Sequence, residues 1–129
     1  MDRATIVLLE DHLDSLEMYA QLLRHAGYDV HASSTAYAAL DLLRWSRPDA
    51  LVMDIGLPDI DGVDFCRRLR HDARLESMPI IGVTGWVTGE PGLRLKDAPF
   101  TELLQKPVQP DVLLATVMRW APAPRAALV

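Results

Sequence analysis

Apolar residues along this chain fall by turns into short continuous runs and into stripes of helical spacing. Thr5-Ile6-Val7-Leu8-Leu9 is rich in β-formers, too short for a helix, and ends sharply on Glu10-Asp11. Residues 13–26 place Leu13, Leu16, Ala20, Leu23 and Ala26 at helical spacing, and Gly27 follows as a stop. Tyr28 to Ala32 predicts a second strand. Thr35 stands where it can cap a helix striped with Ala36, Ala39, Leu40 and Leu43, which ends before Pro48. A third strand, Ala50 to Met53, runs straight into Asp54 and a turn rich in Gly, Pro and acid. Gly62 opens a helix with Val63, Cys66 and Leu69 along one side. Pro79 to Val83 predicts a fourth strand ending at Thr84, and Glu102 to Gln105 a weaker fifth ending at Lys106. Asp111 begins a last helix carrying Leu113, Val117 and Trp120 one above another.

Strands alternating with helices, the central strands continuously apolar, predict an α/β fold whose parallel sheet is covered on both faces. The expected architecture is an open, doubly wound sheet, in which ligands bind beyond the carboxyl ends of the strands at the topological switch point. Residues 1–121 are expected to form one domain and residues 122–129 a tail or linker. A net charge of −5 argues against a nucleic-acid surface, which needs clustered Lys and Arg. The single Cys66 excludes an internal disulfide and suits a reducing compartment. With no basic leader and no apolar run of membrane-spanning length, a cytoplasmic protein without a membrane contact is expected.

Parallel strands bring their carboxyl ends to one edge, and there the chain places Glu10, Asp11, Asp54, Thr84 and Lys106. Two unit charges about 4 Å apart at an effective dielectric near 20 interact by roughly 4 kcal/mol, so carboxylates gathered there repel unless a cation sits among them. Hard oxygen ligands without His or Cys favour Mg²⁺. Lys106 supplies a fixed positive charge and Thr84 a hydroxyl donor. An acid trio, a metal, a Lys and a Thr around one carboxylate make a phosphoryl-accepting site. Each piece alone is ordinary: an acidic pair after a strand is usually a solvated loop, and an Asp ending a strand is usually a turn residue. Their joint occurrence at four strand ends, in this chain order, is what points to chemistry. His12, His25, His31 and His71 form no metal spacing, and Cys66 reads as core.

The segments LLED (8–11), MDIGLPDIDG (53–62), GVTG (82–85) and QKP (105–107) resemble the receiver domain of two-component response regulators, including the receivers of hybrid sensor kinases. The intervals of 43, 30 and 22 residues from Asp11 to Asp54, Thr84 and Lys106 match that family, and the likeness covers residues 4–120. The resemblance implies a flavodoxin-like sheet of order 2-1-3-4-5. It also implies Asp54 as phosphoacceptor, with Mg²⁺ held by Glu10, Asp11, Asp54 and the backbone carbonyl of Gly56. Thr84 and Lys106 would contact the phosphoryl oxygens, and Lys106-Pro107 would be a cis peptide. The implied donor is a sensor histidine kinase or a histidine phosphotransfer protein. A downstream protein would read the phosphorylated state, and the chain would be a monomer or weak dimer that turns over no small substrate.

Three departures stand against the family pattern. Leu103 occupies the position, three residues before the Lys, where the family carries Tyr or Phe. The stretch GWVTGEPGLRLKDAPF after Thr84 is a poor helix where the family has one, so that helix is expected to be short or irregular over residues 86–99. Gly56 and Trp86 offer no amide or carboxylate to hold an attacking water. Two rival readings follow: a pseudo-receiver that acts only as an interaction module, and a phosphohydrolase working through an aspartyl phosphate. Haloacid-dehalogenase-like phosphohydrolases need a second Asp where this chain has Gly56.

Overall fold

Parallel strands cannot be joined by tight hairpins, so each needs a crossover, and helices supply it here. The computed structural model describes residues 3–85 and 97–124. Its elements are β1 (Thr5–Leu9), α1 (Leu13–His25), β2 (Asp29–Ser33), α2 (Ala36–Trp45), β3 (Ala50–Asp54), α3 (Gly62–Arg70), β4 (Ile80–Thr84), β5 (Glu102–Gln105) and α4 (Pro110–Trp120). The strands form one parallel sheet of order β2-β1-β3-β4-β5, the order the resemblance implied.

The continuous apolar runs are explained by burial on both faces. Ile6, Leu8, Val52 and Val83 point into a core closed by Leu23 of α1 and by Leu113 and Val117 of α4. Their neighbours Val7, Leu9, Leu51 and Met53 point the other way, against Ala39 and Leu43 of α2 and Phe65, Cys66 and Leu69 of α3. Each Leu or Val side chain so buried stabilises the fold by roughly 1.5–3 kcal/mol relative to an exposed one. Cys66 is free and wholly buried, and burial pushes its thiol up to about 11.

Local chemistry sets the helix ends. Thr35 caps α2 by accepting from the Ala38 N–H (3.1 Å), as expected, and Asp61 caps α3 through the N–H groups of Val63 and Asp64. His12 caps α1 by accepting from the Ser15 N–H, a use of that exposed ring the sequence did not suggest. Gly27 follows α1 with φ 110°, the left-handed conformation that closes a helix and that only glycine adopts without strain. Pro110, not Asp111, opens α4, because the missing N–H of proline costs nothing in a first turn.

Three details differ from expectation. The second strand runs from Asp29 to Ser33 rather than Tyr28 to Ala32, since Thr5 pairs with Asp29 and Leu9 with Ser33. Leu13, expected in the apolar stripe, is 67% exposed, and the buried residues of α1 are Tyr19, Ala20 and Leu23 in its later turns. Trp120 lies on the rim rather than inside: it is 41% exposed and its indole N–H donates to Glu102 (2.7 Å). Ala121 is buried, and the carbonyl of Pro122 accepts from the Tyr28 hydroxyl (3.1 Å), so the chain stays against the body that far. The Lys106-Pro107 bond is cis, as expected. The expectation for residues 86–99, and with it Trp86, falls largely outside the described residues; Asp97 and Ala98 lie in a turn before β5.

Candidate functional site

In a sheet of this order the chain leaves β1 for one side and returns to the other at β3, so a crevice opens between their carboxyl ends. Leu9 pairs with Met53 across these strands, which sets Glu10 beside Asp54 just beyond the last bonded pair. Asp54 is itself the last residue of β3 and is 6% exposed; Glu10 is 2% exposed, and Asp11 is exposed. One carboxylate oxygen from each of Glu10, Asp11 and Asp54 lies within 4.8 Å of the others.

Lys106 reaches back from the end of β5. Its Nζ lies 3.1 Å from Asp54 Oδ2 and 3.5 Å from Glu10 Oε1. Thr84 ends β4, is buried, and accepts through its carbonyl from the Lys106 N–H (2.8 Å), which ties the last two strand ends together. The Gly56 N–H donates to Asp54 Oδ1 (3.0 Å), and the His12 N–H donates to Glu10 Oε2 (3.2 Å). All the residues singled out in the sequence therefore meet at one edge of the sheet.

The electrostatics follow from crowding. Burial, with the neighbouring Asp54 adding to it, raises Glu10 to about 7 against the pull of Lys106. Burial also acts to raise Asp54, but hydrogen bonds from Glu10, Lys106 and the Gly56 N–H outweigh it and hold Asp54 below the ordinary carboxylate range. Burial alone would lower Lys106, yet Asp54 and Glu10 reverse that and keep it charged. The pair thus consists of an ionised Asp54 and a Glu10 that holds a proton near neutrality, with Lys106 between them.

The donor set fits a small hard cation. Oxygens bound to Mg²⁺ at about 2.1 Å sit roughly 3 to 4.2 Å apart in an octahedron, close to the spread of these carboxylates. No His or Cys intrudes among them.

Other residues that shape the edge were not legible in the sequence. Tyr19 of α1 is buried, and burial followed by the charge of Glu10 raises its hydroxyl. Asp59, in the turn after β3, accepts from the Ala36 N–H (3.0 Å) and so tethers that turn to the start of α2. Gly62 lies so close to the backbone of Ile55 that a Cβ would meet its carbonyl oxygen at 2.5 Å. A polar residue immediately before a helical run marks capping in one's own helix, but nothing local marks a cap reached across 23 residues.

The sheet is thus doubly wound, with an acid trio and a lysine at its switch point. Residues 6–118 match the family model of the response regulator receiver domain, and the chain belongs to that family. The polar-differentiation response regulator DivK of Brucella anthropi is 26% identical over 113 residues, covering 88% of this chain and 92% of that protein. Chemotaxis response regulator CheY4 of Vibrio cholerae superposes with a TM-score of 0.84 at 26% identity, over 92% of this chain and 98% of its own. The receiver domain of sensor histidine kinase PA1611 from Pseudomonas aeruginosa, solved with a magnesium ion in its active site cleft, gives 0.84 at 27% identity, over 92% and 98%. Among the described residues no helix is long and apolar enough to cross a membrane.

Proposed function

We propose that this receiver domain takes a phosphoryl group from phosphohistidine onto Asp54. The observation that carries the reading is an ionised, nearly buried Asp54 whose carboxylate faces Lys106 at 3.1 Å and shares a 4.8 Å cluster with Glu10 and Asp11. An Asp54 carboxylate oxygen attacks phosphorus as the bond from phosphorus to the imidazole nitrogen breaks. The departing nitrogen keeps the electron pair and is protonated from solvent. Mg²⁺ held by Glu10, Asp11, Asp54 and the Gly56 carbonyl would supply the charge that offsets the incoming phosphoryl oxygens. Lys106, kept protonated by its two carboxylate neighbours, moves from Asp54 toward the new phosphoryl oxygens, and the Thr84 hydroxyl donates to one of them.

The donor is a sensor histidine kinase or a histidine phosphotransfer protein in the cytoplasm, and a downstream protein reads the outcome. The domain catalyses its own modification and slow hydrolysis and turns over no small substrate. Incubation with acetyl phosphate and Mg²⁺, read by intact mass, should give one phosphoryl adduct. Asp54→Asn should give none, and Lys106→Ala should still be modified but lose any phosphorylation-dependent partner binding. One observation favours a second reading, an interaction module that phosphorylation does not regulate: Leu103 stands where the family carries an aromatic ring. Failure of the wild-type chain to gain the adduct from either acetyl phosphate or a phosphorylated kinase would decide for that module.

A further inference from the structure

Six of the thirteen Lys and Arg residues, Arg44, Arg47, Arg67, Arg68, Arg70 and Arg74, lie in or just beyond the last turns of α2 and α3, although the chain carries a net charge of −5. Cations near helix C-termini complement the helix dipole, so their position alone is ordinary. Their partners are not. Arg70 is spent on backbone carbonyls, Arg74 pairs with Asp72 at 3.0 Å, and Arg67 stands 4.0 Å from Asp64. Arg44 and Arg68 pair with no carboxylate among the described residues.

These two arginines, with the paired Arg74 and Asp72, border a groove of about 170 Å³ between α2 and α3, floored by Leu40, Leu43, Leu69 and Leu75. The space suits an aliphatic side chain rather than a whole small-molecule ligand. Arg68 also borders a smaller adjoining hollow with Tyr37 and Asp59. On the outer face of α2, Tyr37 is 77% and Trp45 89% exposed, and Trp45 lines a further groove of about 460 Å³ against edge strand β2. Tyr, Trp and Arg are the side chains that most often carry interface energy, and Tyr37, Trp45, Arg44 and Arg68 are all exposed.

The charges select the occupant. A second copy docked through the same face would crowd four arginines, Arg44 and Arg68 of each copy, into one interface, because a two-fold interface joins like patches. A nucleic acid would meet the net negative charge of the chain. A planar anionic membrane cannot reach a leucine floor recessed between two helices. An amphipathic segment with carboxylates flanking an apolar side chain satisfies both the arginines and the floor. We propose that the α2–α3 groove, extended by Tyr37 and Trp45, docks an acidic amphipathic segment of a partner protein. The surface is joined to the turn after Asp54 through Asp59, which lines it and holds the Ala36 N–H.

The test is selection of a display library of random peptides on the immobilised protein, followed by anisotropy titration and amide-shift mapping with the recovered peptides. The peptides should carry Asp or Glu beside apolar residues at helical spacing, and their shifts should cluster on α2 and α3. Binding should weaken at least about tenfold in Arg44→Glu/Arg68→Glu and in Trp45→Ala. The milder pair Arg44→Ala/Arg68→Ala should weaken it less, and all these side chains are exposed, so the fold should persist by circular dichroism. Peptides without acidic enrichment, shifts on other elements, or affinity unchanged by the charge reversal would overturn the proposal. So would self-association, or binding to vesicles of anionic lipid, that the same substitutions abolish.

Discussion

An alanine at position 62 would place its Cβ 2.5 Å from the carbonyl oxygen of Ile55 and 2.8 Å from its Cα, where ordinary contact begins near 3.4 Å. Both are backbone atoms, so no side chain can swing aside and the turn itself must give by roughly 1 Å. Gly27 is the only described glycine with positive φ, so the clash at Gly62 is purely steric. Overpacking of this kind costs about 1–3 kcal/mol. Alanine returns at most about 1 kcal/mol of helix propensity, and less at a first helical position. The net expectation for Gly62→Ala is a loss of about 1–2 kcal/mol, a fall in Tm of roughly 4–8 °C for a chain this size. Ile55 adjoins Asp54, and the Gly56 N–H holds an Asp54 oxygen, so Mg²⁺ affinity should fall as well. Urea unfolding and Mg²⁺ titration read the two effects. Gly85→Ala serves as control: its Cβ would meet nothing within 4 Å, so stability should hold or rise slightly. A Gly62→Ala protein as stable as the control, with unchanged Mg²⁺ affinity, would refute the close-packed turn.

Mg²⁺ affinity should depend on the proton held by Glu10. Below about 7 that proton must be displaced while Asp54 stays ionised, so affinity should fall close to tenfold per pH unit from 7 toward 5.5 and level off above 7; calorimetry that finds a flat profile excludes the shared proton. The same raised group makes the metal-free fold more stable at low pH, a contribution present below the ordinary carboxylate range and lost as pH rises through about 7. Arg70→Ala should cost about 3 kcal/mol in urea unfolding, because the guanidinium bonds the carbonyls of Leu75, Glu76, Met78 and Pro99; Arg70→Lys should not restore it, since an ammonium lacks the fork, and a loss under about 1 kcal/mol would show the carbonyls satisfied by water. Gly56→Asn should shorten the life of the phosphorylated form by placing an amide where it can orient water; equal decay rates in the two proteins would exclude that role for position 56.

The fold was legible because its signals are local. Apolar runs such as Ala50 to Met53 are buried on both faces, and each ends at a charge or a turn, so strand existence and direction follow from the chain alone. The site was legible for a related reason: once the strands are parallel, their last residues share an edge, and only the joint identity of five such residues was needed. What escaped depends on distance in the chain. Arg70 bonds carbonyls up to 29 residues away, and Asp59 reaches 23 residues back to Ala36, neither of which leaves a periodic trace. Leu13 and Trp120 sit at helical spacing with core residues, yet periodicity reports which face a residue is on and not whether the sheet extends beneath it.

Leu103 draws these strands together. It packs against a small cluster of Ile55, Val63 and Ala98, together with Phe100, which also reaches the core beneath α2 and α3. A Cβ at Gly82 would meet Ile55 Cδ1 at 2.8 Å and Leu103 and Phe100 at 3.0 Å each, so these three side chains fill the hollow that a glycine in the middle of β4 leaves open. Among the described residues the ring in this cluster is that of Phe100, three residues before the position where the family carries one, and Leu103 packs against the same cluster. Ile55 is the shared member: its backbone abuts Gly62 at the start of α3, its side-chain tip fills the Gly82 hollow, and it is bonded to Asp54. Close-packed interiors transmit displacement rather than absorb it. A side chain held on both sides in this way has little room to shift alone, so phosphorylation of Asp54 should move the amide shifts of α3 and β5 together, and Ile55→Ala should uncouple them. Shifts confined to the residues around Asp54 would refute that route.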